Sequence, residues 1–187
     1  MDIPAMFRRA VAEFDARVRQ IGDHQWQAAT PDEDWTVRDL VNHLVGEDLW
    51  APLLLAGSTI AEVGDRFDGD VLGAEPTAAW TLASAGAVRA VEDDGAMDRI
   101  VHLSFGDSPG SEYTLQLFAD HLIHAWDLAR AIGADERLDV GLVASCATWF
   151  ETMEDGYRSA GAIAARPLVP DDADAQTVLL ARFGRHA

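Results

Sequence analysis

Two segments with helical spacing each carry an imidazole and a carboxylate four residues apart. The first pair is His43 and Glu47, and the second is Asp120 and His124. Residues four apart lie on one face of a helix, and both of these faces are otherwise apolar. A buried charge without a partner is costly, and a bound metal ion keeps a carboxylate ionised and an imidazole neutral. Two imidazole nitrogens and one carboxylate oxygen would hold zinc, iron or nickel and leave positions open for water or substrate.

Each pair also has a plainer interpretation. A hydrogen bond between Asp120 and His124 would satisfy both side chains in a core without a metal ion. Glu47 is our candidate catalytic residue, as a general base, but a fourth ligand or a partner that orients His43 are alternatives. His121 points round the helix away from Asp120, which favours a hydrogen bond or a surface position over ligation.

The sequence also suggests structural roles for Asp127 and Cys146 and a substrate-binding role for two arginines. Asp127 lies one turn beyond His124, where an imidazole or Arg130 is the expected hydrogen-bond donor. Cys146 lies on an apolar segment without a base to activate it, which favours a core position and argues against a cysteine nucleophile. Arg38 and Arg130 are candidates to meet a carboxylate on a substrate.

Helical periodicity dominates the chain and predicts an all-α fold. Thr36 is the expected N-cap of the second helix, with Asp39 in the third position of a capping box, and Pro52 is expected to kink this helix or end it early. Gly133 should end the fourth helix. The expected helices cover residues 3–21, 36–57, 77–91, 115–132, 139–156 and 171–183.

The segments between these helices complete the expected architecture. Residues 58–76 predict a long crossover with one short helix, and residues 99–114 predict a small hairpin or an ordered loop. The pattern indicates a four-helix bundle with extra C-terminal helices and at most a small hairpin. We expect a single domain over residues 1–187, in which residues 160–187 form a C-terminal extension packed on the bundle.

The composition excludes several classes of partner. Fourteen cationic residues against 32 carboxylates give a net charge of -18, which repels nucleic acid and anionic membranes. The single cysteine cannot form an internal disulfide, and no stretch has the apolar length of a membrane span. We therefore expect a cytoplasmic protein that binds neither nucleic acid nor membrane.

Three blocks of sequence resemble the metal-binding proteins related to mycothiol-dependent maleylpyruvate isomerase of actinobacteria, within the DinB-like superfamily. They are residues 35–47 (WTVRDLVNHLVGE), residues 124–133 (HAWDLARAIG) and the ending from VPDDAD at 169–174 to Gly184 and Arg185. The resemblance implies a DinB-like four-helix bundle. It also implies a divalent metal, often zinc, held by His43, Asp120 and His124. Many members have Glu where this chain has Asp120.

This resemblance suggests the chemistry of a small-molecule thiol. The leading hypothesis is a metal-dependent transferase or isomerase-like enzyme that uses a mycothiol-type cosubstrate and a small electrophile. The isomerases carry a further C-terminal domain, which we do not expect in this chain, so their substrate is not transferred. The alternatives are a non-catalytic metal-binding or ligand-sensing module, which could act as a homodimer, and a metal-assisted hydrolase with Glu47 as base.

Overall fold

Helices form most of residues 2–32 and 34–187, which a computed structural model describes. The fold is all-α with one small hairpin, as the sequence predicts. The helices are α1 (Ile3–Val18), α2 (Val37–Leu55), α3 (Ile60–Val63), α4 (Pro76–Val91), α5 (Gly110–Ile132), α6 (Val140–Phe150), α7 (Glu154–Ser159) and α8 (Ala175–Arg182), and the strands of the hairpin are β1 (Ile100–Leu103) and β2 (Gly106–Pro109).

The predicted capping box of α2 is confirmed. Thr36 accepts a hydrogen bond from the backbone N–H of Asp39, and the Asp39 side chain accepts one from the backbone of Thr36. Both otherwise unpaired N–H groups are thereby satisfied, which fixes where the helix begins. Pro52 lies inside α2, and the helix continues for three residues beyond it, to Leu55.

Four long helices surround the core. α1 packs along α5 and α2 along α4, and the two pairs meet where α2 touches α5 and α1 touches α4. The connection predicted at residues 58–76, with its short helix α3, therefore joins two helices that lie side by side. Phe7, Phe14, Leu40, Trp80 and Leu122 fill the space between the helices and are completely buried. The contact between α2 and α5 positions the candidate site.

The hairpin is shorter than predicted, and α5 begins earlier. Residues 111–114, which lie in the segment predicted as a small hairpin or an ordered loop, form the first turn of α5. Gly110 makes this possible because a β-carbon at that position would lie 2.0 Å from the carbonyl oxygen of Ala96. The helix ends where expected, at Gly133, whose φ of 74° suits glycine.

The C-terminal segment, residues 160–187, contacts helices that precede it in the chain. The fifth predicted helix divides into α6 and α7, and α8 contacts α6. The ring of Phe183 stacks on Phe150 with 3.8 Å between the centroids. The single-domain boundary itself stays a prediction. Within the described residues, no helix is long and apolar enough to cross a membrane.

Candidate metal centre

His43 on α2 and Asp120 and His124 on α5 meet at the contact between the two helices. The Nε2 atom of His43 lies 3.0 Å from Oδ2 of Asp120, and the Nε2 atom of His124 lies 3.3 Å from Oδ1 of the same carboxylate. One ligand atom from each side chain lies within 4.8 Å of the other two. The structure thus brings together the three residues that the sequence suggested as ligands.

The contact made by the Nδ1 atom of His124 shows which of the two ring nitrogens carries a proton in the neutral imidazole. Its Nδ1 atom lies 2.9 Å from Oδ2 of Asp127, and a carboxylate can only accept a hydrogen bond, so Nδ1 donates. A neutral imidazole then presents the Nε2 lone pair to the Asp120 oxygen, and two acceptors face each other. A proton or a divalent metal ion between them removes this conflict. The donor set therefore fits a divalent metal ion.

Asp127 is in turn held by Arg185, which follows the last helix. The guanidinium group donates to both Asp127 oxygens at 2.8 and 2.9 Å, and its Nη2 atom also lies 2.6 Å from Oδ2 of Asp32. Asp127 is completely buried. Burial raises its pKa, but the bonds to His124 and Arg185 outweigh this effect and lower it. Asp127 thus stays ionised and orients His124.

The charges of the cluster favour its ionised forms. Burial lowers the pKa of His124, but Asp120 and Asp127 overcome this effect and raise it to about 10. Burial also lowers the pKa of His43, and Asp120 raises it above its usual value. The pKa of Asp120 is well below its usual range, because the two imidazoles outweigh burial. A metal ion would replace the protons held between these side chains.

An open cavity of about 840 Å³ adjoins the cluster. Trp35 forms part of its wall, with its ring stacked 5.7 Å from that of His124 and tilted 4.9 Å from that of His43. Tyr157 and residues 161–165 of the C-terminal segment also line the cavity. This volume is in the range of small-molecule sites, about 300–1,000 Å³. The three candidate ligands thus face space for a small molecule.

Glu47 lines the same cavity but is not one of the three clustered residues. Burial raises the pKa of its carboxyl group, and the charge of Asp120 raises it further. A carboxyl group whose pKa is raised towards neutrality can both accept and donate a proton. These properties suit the general-base role suggested by the sequence, which stays a prediction.

His121 faces away from the cluster, as expected, but it does not lie at the surface. It is completely buried, with Nδ1 2.8 Å from the carbonyl oxygen of Leu117. Its Nε2 atom lies 3.3 Å from Oδ1 of Asp48, which is also completely buried. The hydrogen-bond interpretation therefore describes His121, and the surface interpretation is wrong.

The arginines suggested for substrate binding lie elsewhere. Arg38 donates to Asp70 and to the carbonyl oxygen of Gly73, and it does not line the cavity. Arg130 lies over the ring of Trp126 and lines a smaller neighbouring cavity. Neither arginine faces the clustered imidazoles.

Sequence reasoning missed three polar residues of the site. Asp32 and Arg185 come from opposite ends of the chain, 153 residues apart, so spacing could not connect them. Arg185 lies in one of the three sequence blocks that resemble the family, and this was the one signal in the sequence that could have pointed to it. Tyr113 stands at the start of α5, in the segment where a hairpin or an ordered loop was expected, and it lines the cavity while its hydroxyl group is buried.

Comparisons with known proteins identify the family of this chain. Residues 7–129 match the family described as the mycothiol maleylpyruvate isomerase N-terminal domain. That range contains His43, Asp120 and His124 but not Arg185. The chain is 32% identical over 143 residues to two proteins of Mycobacterium tuberculosis, uncharacterized protein MT0763 of strain CDC 1551 / Oshkosh and uncharacterized protein Rv0738 of strain H37Rv.

The alignment with each of these relatives covers 74% of this chain and 72% of the relative. No solved structure matches the chain. The family match spans well over half of the 187 residues, and it includes all of α2 and α5 up to Ala129. The chain therefore belongs to the mycothiol maleylpyruvate isomerase N-terminal domain family.

Proposed function

We propose that this protein is a divalent-metal-dependent enzyme that joins a small thiol of the mycothiol type to an electrophilic substrate. His43, Asp120 and His124 hold the metal ion, with zinc as the first choice and nickel or iron as alternatives. Membership of the family supports a thiol as one substrate, and the side chains of the site support the binding of a metal ion.

The observation that best supports a bound metal ion is the position of His124 between two carboxylates. Its Nδ1 atom is committed to Asp127, so its Nε2 atom is aimed at the cluster. A site that fixes the orientation of one imidazole in this way is typical of metal ligation, where the second nitrogen of a ligating histidine donates to a carboxylate. The adjoining cavity favours an enzyme over a non-catalytic module, since a closed ligand sphere would need no such space.

The metal ion and the residues around the cavity would have separate roles in the addition of a thiol. When bound, the divalent ion would supply a Lewis-acid centre that favours the thiolate form of the thiol. A carboxylate oxygen of Glu47 accepts the proton that the thiol loses. After the sulfur–carbon bond has formed, Glu47 returns this proton to the adduct. Trp35 covers one side of the imidazoles and limits access of water to them.

Metal content tests the first half of this proposal. Protein purified without a metal-affinity tag should contain one divalent ion per chain by elemental analysis, and His43→Ala and His124→Ala should each lose it while the helical circular dichroism remains. His102→Ala is the matched control, because His102 also pairs with a carboxylate, at 2.6 Å from Asp107, but on the exposed hairpin. Unchanged metal content in both site variants would show that the assignment is wrong.

A screen of metal-loaded protein tests the second half. Mycothiol or a small model thiol should be consumed with a panel of electrophiles only when the metal is present, and Glu47→Gln should slow this reaction without removing the metal. Hydrolysis of ester or amide substrates in the absence of thiol would instead identify a hydrolase. Metal binding with no reaction of either kind would favour the ligand-sensing module.

A further inference from the structure

The charges around the cavity limit which substrates it can accept. Its described wall contains three acidic side chains, Asp32, Glu47 and Asp120, whereas Arg185 is the only arginine in that wall and the chain has no lysine. The remaining basic groups that line the cavity are the two clustered imidazoles and His186, which is exposed.

The guanidinium group of Arg185 is already neutralised. Its Nε and Nη2 atoms donate to Asp127, and Nη2 also lies 2.6 Å from Asp32. Two carboxylates around one guanidinium leave this group of three side chains with a net charge of -1. A substrate carboxylate would have to displace one of these partners to reach Arg185, so the wall offers no free arginine for it.

The filled metal site does not reverse this balance. If a divalent cation and a thiolate were bound, their charges and that of Asp120 would sum to zero. Glu47 then adds either a negative charge or none, so the total around the cavity is negative in both of its protonation states. Like charges a few ångströms apart repel strongly in a partly buried site. A second anion beside the thiolate is therefore disfavoured.

The wall does offer uncharged donors. The hydroxyl group of Tyr113 is buried and has no hydrogen-bond partner among the described residues. The amide of Gln116 lines the same cavity one turn further along α5. A buried hydroxyl group without a partner is costly, and a carbonyl, amide or hydroxyl oxygen of a bound molecule would satisfy it.

We propose that the cavity accepts uncharged polar molecules and rejects carboxylates, so that the electrophile is a neutral compound whose oxygen accepts a hydrogen bond from Tyr113. The thiol and the electrophile in this inference rest on the proposed function, whereas the charge selection rests first on the charged side chains that line the cavity. It separates this chain from any enzyme of its family whose substrate carries carboxylate groups.

Paired probes of equal size test the charge selection by binding rather than by turnover. Cobalt-loaded protein is titrated with N-acetylcysteine amide and with N-acetylcysteine, and the change in cobalt absorption reports binding. We expect the uncharged amide to bind about tenfold more tightly than the acid, as one unfavourable charge contact predicts. Tyr113→Phe should weaken binding of the amide by about fivefold, the loss of one hydrogen bond, and leave the acid unaffected.

Charge variants provide the matched controls. Asp32→Asn should bring the two affinities closer together, and Asp94→Asn, an exposed carboxylate outside the cavity, should not. An acid that binds as tightly as its amide overturns the inference while leaving the metal and thiol proposal intact.

A second pair separates failure of the thiol proposal from failure of the charge selection. If neither thiol binds, the thiol proposal fails, and 4-methylimidazole is compared with imidazole-4-acetate by calorimetry, with and without metal. A preference for the uncharged imidazole still supports the charge selection. No preference, or no binding of any uncharged probe, overturns it.

Discussion

The Nε2 atom of His121 on α5 lies 3.3 Å from Oδ1 of Asp48 on α2, and both side chains are completely buried. Each of these residues directly follows a residue of the candidate site, Asp120 and Glu47 respectively. Burial lowers the pKa of His121, but the charge of Asp48 raises it above its usual value. The buried pair thus connects the two helices that carry the clustered imidazoles, on the side away from the cavity.

Removal of Asp48 should destabilise the protein strongly. In Asp48→Ala the imidazole of His121 stays buried without its partner, and loss of one member of a buried ion pair costs about 3–5 kcal/mol. Urea unfolding of the metal-free protein measures this cost. The double variant Asp48→Leu with His121→Leu removes both charges and should recover most of the stability. A cost below about 1 kcal/mol for Asp48→Ala would contradict a paired charge.

Arg185 should control metal affinity although it does not contact the cluster. In Arg185→Met the carboxylate of Asp127 loses its buried partner and orients His124 less firmly. The loss of a residue that supports a ligand in this way lowers metal affinity by about 10–100-fold. Competition with a chelating dye measures the affinity. Arg182→Met is the control, because Arg182 pairs with Glu154 at 2.7 Å in the same C-terminal segment, and it should keep the affinity of the parent protein.

The parts of the fold and site that sequence could predict depend on residues close together in the chain. The capping box of Thr36 and Asp39 lies within four residues and was found where expected. The spacing of Asp120 and His124 placed both side chains on one face of α5, and the structure brings them to His43. Local periodicity and capping are properties of a short segment, so they need no knowledge of the rest of the molecule.

The parts that it could not predict depend on contacts between distant segments. Residues 111–114 have the character of a strand, but their contact with the bundle makes them the first turn of α5. Asp48 lies among apolar residues on α2, and only the packing of α5 reveals its partner. Arg185 reaches Asp127 across 58 residues and Asp32 across 153. Such tertiary contacts override local preference and leave no periodic signal.

Gly110 should not tolerate even the smallest side chain. A β-carbon there would lie 2.0 Å from the carbonyl oxygen of Ala96, a backbone atom that cannot rotate away. Gly110→Ala should therefore lower the free energy of unfolding by about 3 kcal/mol, at the upper end of overpacking. Gly86→Ala is the control, since its β-carbon would meet nothing closer than 3.9 Å, and an added methyl group inside a helix should stabilise by about 0.5–1 kcal/mol. Equal unfolding midpoints for the two variants would contradict this close approach.

Metal affinity should rise with pH because the metal ion displaces a proton from His124. Burial lowers the pKa of this imidazole, but Asp120 and Asp127 raise it to about 10, above its ordinary value of 6.5. Because the folded pKa is the higher one, the protonated side chain stabilises the metal-free protein fully below pH 6.5, and this stabilisation is lost as the pH rises towards 10.

The metal ion competes with this proton over the same window. Affinity should therefore rise about tenfold per pH unit between about pH 7 and 9, and more steeply where His43 is also protonated. Chelator competition at three pH values measures the slope. In Asp127→Asn the imidazole loses one negative partner, so its pKa falls and the rise should level off at a lower pH. An affinity that does not change with pH would show that the ion does not bind at His124.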